Sequence, residues 1–592
     1  MRRSRASSRA SSLRRTGLRS LSSRLTADSL KGPLTLRASF VDTSAETADA
    51  FSETSKVLGR GSFGVVSLVR DKRTGEPRAM KTSKRRATWD QDRFEMEARL
   101  LQNLDHPHIL RIFSWFEEGD SISILMEVSD GGELLQLVQA ARLQSYQVPE
   151  AWAMTGFCQA FEALVYIHAK GVVHKDLKGE NLLLLKRTEG PQGEPFFRAP
   201  HVVICDLGLA EVCHEVMGKF RACQPAGTPS FMAPEVWKGN FGPASDIWSM
   251  GCIIFELFSG SPAFRIRSGD AGTARADVTL QRGPNWALFQ GSSQAQSLCR
   301  KLLSFPERKR PTAEKCLADV CLKQRMASIT KEEIFHLCQV VKQWPSRSRS
   351  QRALCLILAA SCTSLKPIAA MFARFDKDHS GTLDMAEIVA ALTANGVDAA
   401  TAADTARAVD VNRDGVCEFL EFAAAALPSQ EADFQAMLRQ QFRYLDVDNR
   451  GLLAPAEVAS FLEELGQLAA NHGLTPQDLD LDGDGSVSFN DFCEYFGAGR
   501  ISSETQVLTC SAVESCSAEM DGQLSTESVK DTILHPLSIF PTPRMPRSDP
   551  NEVQGPSSCE LDGRSAAVVQ QKGPALGPLI SSIGFQGGCT DW

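Results

Sequence analysis

Between residues 57 and 69 apolar and polar side chains alternate around three glycines, Gly59, Gly61 and Gly64. Period-two alternation interrupted by glycine predicts a strand, a tight turn and a second strand. A further apolar strand ends in Arg78-Ala-Met-Lys81, and a helix is predicted over about 91–104. Residues 123–128 and 202–204 read as buried strands, and Gly131-Gly-Glu133 opens a helix. From Ile329 the period becomes helical, with Ile334, Leu337, Val340, Val341 and Trp344 on one stripe until Pro345 stops it. Residues 353–360 form another apolar, helix-prone run. Beyond residue 366 the pattern repeats. Polar twelve-residue loops start at Asp376, Asp410, Asp446 and Asp480, spaced 34, 36 and 34 residues apart within helical segments.

Composition narrows the classes. The 592-residue chain is too long for one core, so two to four domains are expected. Hydrophobic residues at 43% and charged residues at 23% are ordinary for globular protein, and a net charge of −7 gives no global affinity for nucleic acid. The eight-residue apolar run 353–360 falls short of the roughly 18–20 residues that span a bilayer, so no transmembrane segment is expected. None of the 17 cysteines forms a C-x-x-C pair, which argues against structural zinc and for a reducing interior. Residues 1–50 form a basic tail; the first 27 hold eight Arg and no acid. They suit either a disordered tail or an organellar transit peptide. Residues 499–592 lack periodicity and read as a disordered tail.

Chemistry concentrates in His174-Lys-Asp176-Leu-Lys178-Gly-Glu-Asn181. A carboxylate, an ammonium and an amide on one short loop can accept a hydroxyl proton while holding a metal and a phosphate. The hairpin Leu58-Gly59-Arg60-Gly61-Ser62-Phe63-Gly64-Val65-Val66 can close its backbone over phosphates, because glycine leaves no Cβ in the way. Lys81 paired with Glu97 on the following helix would hold an ammonium against them. Asp206-Leu-Gly208 delivers another acid from a strand into a turn; Ala233-Pro-Glu235, Asp246-Ile-Trp248 and Arg310-Pro-Thr follow.

In this order and spacing, the motifs resemble the eukaryotic protein-kinase superfamily over residues 51–326. The resemblance implies ATP and Mg²⁺ as cofactors. It places Gly59, Gly61 and Gly64 over the phosphates, Met126 as gatekeeper, and Glu127 and Val128 at the adenine hinge. It makes Asp176 the base, Lys178 a γ-phosphate contact, Asn181 and Asp206 the magnesium ligands, and Glu235–Arg310 a clamp. Thr228 matches the residue that braces the base. The chain departs at Leu207 for the usual Phe, Gly179 for the usual Pro, an insertion at 187–200, and Lys175 for the usual Arg. Lys cannot copy the bidentate phosphate fork of Arg, and no Ser, Thr or Tyr lies between Asp206 and Gly227. Regulation by activation-loop phosphorylation is therefore not expected.

The four repeats read as EF-hands. Loop one offers Asp376, Asp378, Ser380, Thr382 and Glu387; loop two offers Asp410, Asn412, Asp414 and Glu421. Loop three, 446–457, has Arg450 and Ala454 at ligand positions, so poor calcium binding is expected. Loop four offers Asp480, Asp482, Asp484 and Ser486 but ends in the shorter Asp491, which predicts weaker affinity. The expected fold is multidomain: an α+β bilobal kinase, a basic amphipathic junction at 327–365, then an all-α calmodulin-like domain at 366–498.

This architecture resembles the calcium-dependent protein kinases. The resemblance implies a Ser/Thr kinase whose junction occludes the cleft at rest and is gripped by the EF-hand domain when calcium binds. It implies protein substrates with Ser/Thr near basic residues, a monomer, and a cytoplasmic location unless the N-terminus directs organellar import. Two other readings stay open here: EF-hands that localise the kinase rather than activate it, and a calcium-binding scaffold with an inert kinase fold.

Overall fold

The alternation that opens the pattern becomes an antiparallel sheet. The computed structural model describes residues 51–497 apart from 62–63, 73–74, 85–97, 119–120, 187–196, 198, 208–210, 213–219, 222–226, 267–273, 324–328, 363–364 and 469–474. Both tails, Ser62, Phe63, Glu97, most of the 187–200 insertion and most of the activation segment lie outside the described residues. The sheet takes β1 (Phe51–Gly61), β2 (Gly64–Asp71), β3 (Pro77–Lys84), β4 (Ile112–Glu118) and β5 (Ser121–Met126) in the order β1-β2-β3-β5-β4. A register shift between Val57 and Gly59 kinks β1 just before its glycine turn, as an extra residue in one strand does. Lys81 pairs with Val66 on one side and Ile124 on the other, which fixes it in the middle of the sheet.

The second lobe is helical. Helix α1 (Leu134–Leu143) is amphipathic, whereas α2 (Glu150–Ala169) and α3 (Pro243–Ser259) are apolar almost all round and buried. Such helices form a centre rather than a surface. A small sheet of β6 (Gly132–Glu133), β7 (Leu182–Leu184) and β8 (Val202–Ile204) lies beside them. Leu182 pairs with Ile204, and the Cys205 N–H donates to the Asn181 carbonyl at 3.1 Å. This pairing sets Asn181, just before β7, beside Asp206, just after β8.

A separate hydrophobic core begins at residue 337. It combines the junction helices α4 (Lys331–Val341) and α5 (Arg349–Ser361) with the EF-hand helices. Those helices are α6 (Lys366–Phe375), α7 (Met385–Ala394), α8 (Ala399–Val409), α9 (Phe419–Ala426), α10 (Glu431–Leu445), α11 (Pro455–Leu468) and α12 (Phe489–Phe496). The junction stripe predicted to run to Trp344 leaves the α-helix at Val341, and residues 344–346 form a tight turn. Trp344 turns into the core and donates from Nε1 to the Ala408 carbonyl at 2.9 Å. Truncating so large a buried ring to Ala would cost about 3–5 kcal/mol.

Two-residue strands join the loops in pairs. β9 (Leu383–Asp384) meets β10 (Val416–Cys417), and β11 (Leu452–Leu453) meets β12 (Val487–Ser488). The apolar eighth positions, Leu383 and Val487 among them, are buried there. Edge-to-face rings close each pair, Phe372 with Phe419 and Phe422, and Phe442 with Phe489 and Phe492. No described helix is long and apolar enough to cross a membrane.

Candidate active site and calcium loops

The catalytic loop is pinned from below before it does any chemistry. Asp246, near the start of α3, accepts the backbone N–H groups of His174 and Lys175, each at 3.0 Å. His168 Nε2 lies 2.9 Å from the same carboxylate. His174 Nε2 lies 3.0 Å from the Cys205 carbonyl, which ties the loop to the segment carrying Asp206. Lys175 stands in the left-handed region at φ 68° and its ammonium covers the Phe241 ring at 4.6 Å. The position that carries a phosphate-binding Arg in the resembling family thus makes a cation–π contact here. Gly179 also has a packing reason: a Cβ there would lie 2.3 Å from Leu135 Cδ1 of α1, so a Pro would displace that side chain.

The working groups converge above. Asp176 Oδ1 accepts both the Thr228 N–H and the Thr228 hydroxyl at 2.8 Å. Its Oδ2 lies 2.6 Å from Lys178 Nζ. Asn181 Nδ2 donates to the Asp176 carbonyl at 2.8 Å, which directs Oδ1 away as a ligand atom. Asp206, also left-handed at φ 64°, accepts from Lys81 Nζ at 2.9 Å. Burial alone would raise the Asp206 pKa, but the Lys81 charge and hydrogen bond outweigh it and hold the acid below its ordinary value. Burial likewise opposes the charge on Lys178, and the bond to Asp176 overturns it, so the ammonium is held above its ordinary pKa.

Around this centre, Gly59, Arg60 and Gly61 pair across the hairpin with Val66, Val65 and Gly64, and Leu58 stands exposed beside them. Leu207 is buried in the kinase core, so the acid of the Asp-Leu-Gly turn keeps an apolar anchor. Met126 ends β5 within the same core, and Glu127 and Val128 follow it. Glu127, expected at the adenine hinge, forms a buried side-chain fork with Arg111, Nη2 to Oε1 at 2.7 Å and Nε to Oε2 at 3.3 Å, which leaves its backbone for the hinge. Glu235 and Arg310 form a second buried fork, with Nη2 to Oε2 at 2.8 Å.

The four loops share one backbone shape. Their fourth residues, His379, Arg413, Asn449 and Gly483, all have positive φ, between 52° and 75°. In loop one, carboxylate oxygens of Asp376, Asp378 and Glu387 lie within 4.8 Å of one another. Glu387 and Glu421 reach back across their loops to the N–H groups of Lys377 and Val411, at 2.7 and 2.8 Å. Burial pushes Asp376 and Glu421 up to about 8. Buried acids facing acids are the donor set a divalent cation relieves, so the residues fit calcium. In loop three, Arg450 directs its own cation to Asp448 and Glu457, each at 3.5 Å. In loop four, Asp480, Asp482 and Asp484 converge, but the Asp491 bonds go to the N–H and hydroxyl of Ser488, at 2.9 and 2.6 Å. The shorter side chain caps its own helix instead of crossing the loop. Thr382 and Ser486 stand at the seventh positions, while Ser380 donates to the Thr382 carbonyl at 2.9 Å and Asn412 to Asp414 at 3.0 Å.

Comparison with known proteins gives the same division. The family described as protein kinase domain matches residues 52–321, EF hand matches 368–392, and EF-hand domain pair matches 435–497. Calcium-dependent protein kinase 9 of Oryza sativa subsp. japonica is 30% identical over 460 residues, 75% of this chain and 76% of that protein. The chain belongs to the calcium-dependent protein kinases. Calcium-dependent protein kinase 21 of Arabidopsis thaliana is 28% identical over 77% of this chain and 85% of its own length. Calcium-dependent protein kinase 5 of Plasmodium falciparum (isolate 3D7) is 25% identical over 76% and 78%.

As a kinase of this family the chain works with ATP, Mg²⁺ and Ca²⁺ on protein substrates. When bound, ATP would supply the phosphoryl group and magnesium would offset the charge of its phosphates. Asn181 and Asp206 are placed to hold the metal, and Asp176 Oδ2 to take the hydroxyl proton. Lys178 balances the charge that develops, so the protein contributes position and electrostatics rather than covalent chemistry. Two functional contacts had no signal in the sequence. Arg111 Nη2 donates to the Cys362 carbonyl at 2.7 Å, and Arg78 Nη2 to the Ser361 carbonyl at 3.1 Å. Both tie the end of junction helix α5 to the kinase sheet.

Proposed function

We propose that this protein is a calcium-activated Ser/Thr protein kinase in which calcium binding to the EF-hands withdraws the junction from the catalytic cleft. One observation carries the reading. Arg111 holds the hinge residue Glu127 and the end of α5 with the same Nη2 atom. The calcium-binding half thereby reaches the residue beside the adenine site. The described hydrogen bonds from α5 to the kinase domain run to Arg78 and Arg111 rather than to Asp176, Lys178, Asn181 or Asp206. In the proposed resting form the junction lies against the catalytic loop, and calcium withdraws it. Substrates carry a basic residue upstream of the target Ser or Thr, the pattern that the chain's own Arg-Ala-Ser-Ser segments at 5–8 and 9–12 offer.

The test is phosphorylation of a basic Ser peptide across a calcium titration at fixed magnesium. Activity should rise steeply from a low level in EGTA. Equal activity in EGTA and in saturating calcium would remove the switch and leave a kinase that the EF-hands only localise.

A further inference from the structure

The EF-hand half touches the kinase half at a second place, unrelated to the hinge. Residues 98–102 are helical, and the bend 105–108 connects that helix to β4. Asp105 in this bend is fully buried. Its N–H donates to the Tyr166 hydroxyl of α2 at 2.9 Å. Its Oδ2 accepts the backbone N–H of Leu420 at 2.6 Å, across 315 residues of sequence.

Leu420 is the second residue of α9, and its neighbour Glu421 is the last position of the second calcium loop. The first N–H groups of a helix have no partner within it, and an acid placed there supplies one while meeting the positive end of the helix dipole. In this protein the kinase domain provides that acid. Lys170, at the end of α2, adds an ion pair to Glu418 of the same loop at 3.8 Å. Loop one leans on the same patch. Gly381, at φ 79°, is so close that a Cβ would lie 2.7 Å from His106 and 2.8 Å from Tyr166.

Calcium changes an EF-hand by moving the exiting helix relative to its partner. Helix α9 is the exiting helix of loop two, and its first turn is fastened to Asp105. We infer that Asp105 is a positioning residue of the second calcium site, supplied by the kinase domain, and that it couples occupancy of that loop to the bend behind the helix at 98–102. Coupling between two sites is reciprocal, so the kinase half sets the calcium affinity of loop two as much as calcium acts on the kinase. This rests on the proposed calcium response.

The experiment is calcium binding by titration calorimetry on the full chain in magnesium without nucleotide, beside the calcium midpoint of peptide phosphorylation. The variants are Asp105→Ala, Asp105→Asn and the milder Tyr166→Phe. Asp105→Ala should raise the binding midpoint about fivefold or more, the lower end of measured site-to-site couplings. Activity should shift by the same factor, and Asp105→Asn, which keeps an acceptor oxygen, should lie nearer wild type. Tyr166→Phe should shift both midpoints in the same direction by less. Unchanged binding midpoints in all three, with wild type responding to calcium, would overturn the coupling. So would a loss of activity at saturating calcium with no change in binding, which would make Asp105 a fold residue only. A wild-type chain that neither binds calcium nor responds to it would overturn the proposed function together with this inference.

Discussion

The catalytic half and the calcium half treat their carboxylates in opposite ways. Around the active site each working acid has a counter-charge within the protein: Lys81 on Asp206 at 2.9 Å, Lys178 on Asp176 at 2.6 Å, and Arg310 on Glu235 at 2.8 Å. In loop one the acids face each other, and burial pushes Asp376, like Glu421 of loop two, up to about 8. A catalyst gains from satisfied groups, which stay in place while charge develops on the substrate. A sensor gains from strained ones, because the cation that relieves them brings a large free energy with it. Loop three is the intermediate case, an EF-hand loop with a built-in cation in Arg450.

The largest test of this contrast removes the base. Asp176→Ala should lower kcat roughly a hundred- to ten-thousand-fold, the usual range for a general base, and leave the calcium-binding isotherm in place. A mutant with wild-type turnover would mean that Asp176 is not the base. Next in size is Glu421→Gln. Loss of a charged ligand should raise the calcium midpoint roughly tenfold or more, since ligand charge sets EF-hand affinity. The same change should raise the melting temperature in EGTA at pH 9, because it removes a charge that burial disfavours. Asp206→Asn should do the reverse and lower the melting temperature, through a loss of about 1.5–3 kcal/mol of stability for a hydrogen bond to a charged partner. If Glu421→Gln and Asp206→Asn moved calcium-free stability in the same direction, the contrast would fail.

The smallest effect is in protons. Asp376 and Glu421 are pushed up to about 8, whereas unfolded carboxyls titrate at about 4. The calcium-free folded chain therefore holds protons that the unfolded chain has shed, and its stability falls as pH rises from about 4 to about 8. Asp206 has the opposite sign: its contribution is present above about 4 and is lost as pH falls through its depressed value. Calcium must displace the protons on the loop acids, so binding should tighten between pH 6 and pH 9. Calorimetry in two buffers of different ionisation enthalpy should report proton release at pH 7, and identical heats in both would remove this account.

Much of this was legible because the informative residues are close in sequence. His174 to Asn181 is one loop, and each calcium loop is twelve consecutive residues, so spacing alone specifies which side chains can meet. The cation inside loop three was visible in Arg450, and the short side chain that ends loop four in Asp491. Helical periodicity overran the end of α4, because the burial that makes Trp344 part of the stripe is achieved by turning it into the core from a tight turn.

By itself the sequence determined the chemistry: a kinase loop, a magnesium acid, a lysine in the sheet and four EF-hand loops of unequal quality. Only the tertiary structure decided how the two halves speak to each other. It paired Glu127 with Arg111, placed Arg111 on the Cys362 carbonyl 251 residues away, and set Asp105 on the first turn of α9. The physical reason is that the contacts at Cys362 and Leu420 end on a backbone carbonyl and a backbone N–H group. Every residue carries them, so no residue type marks them, and only the folded path of the chain says which one an Arg or an Asp will meet.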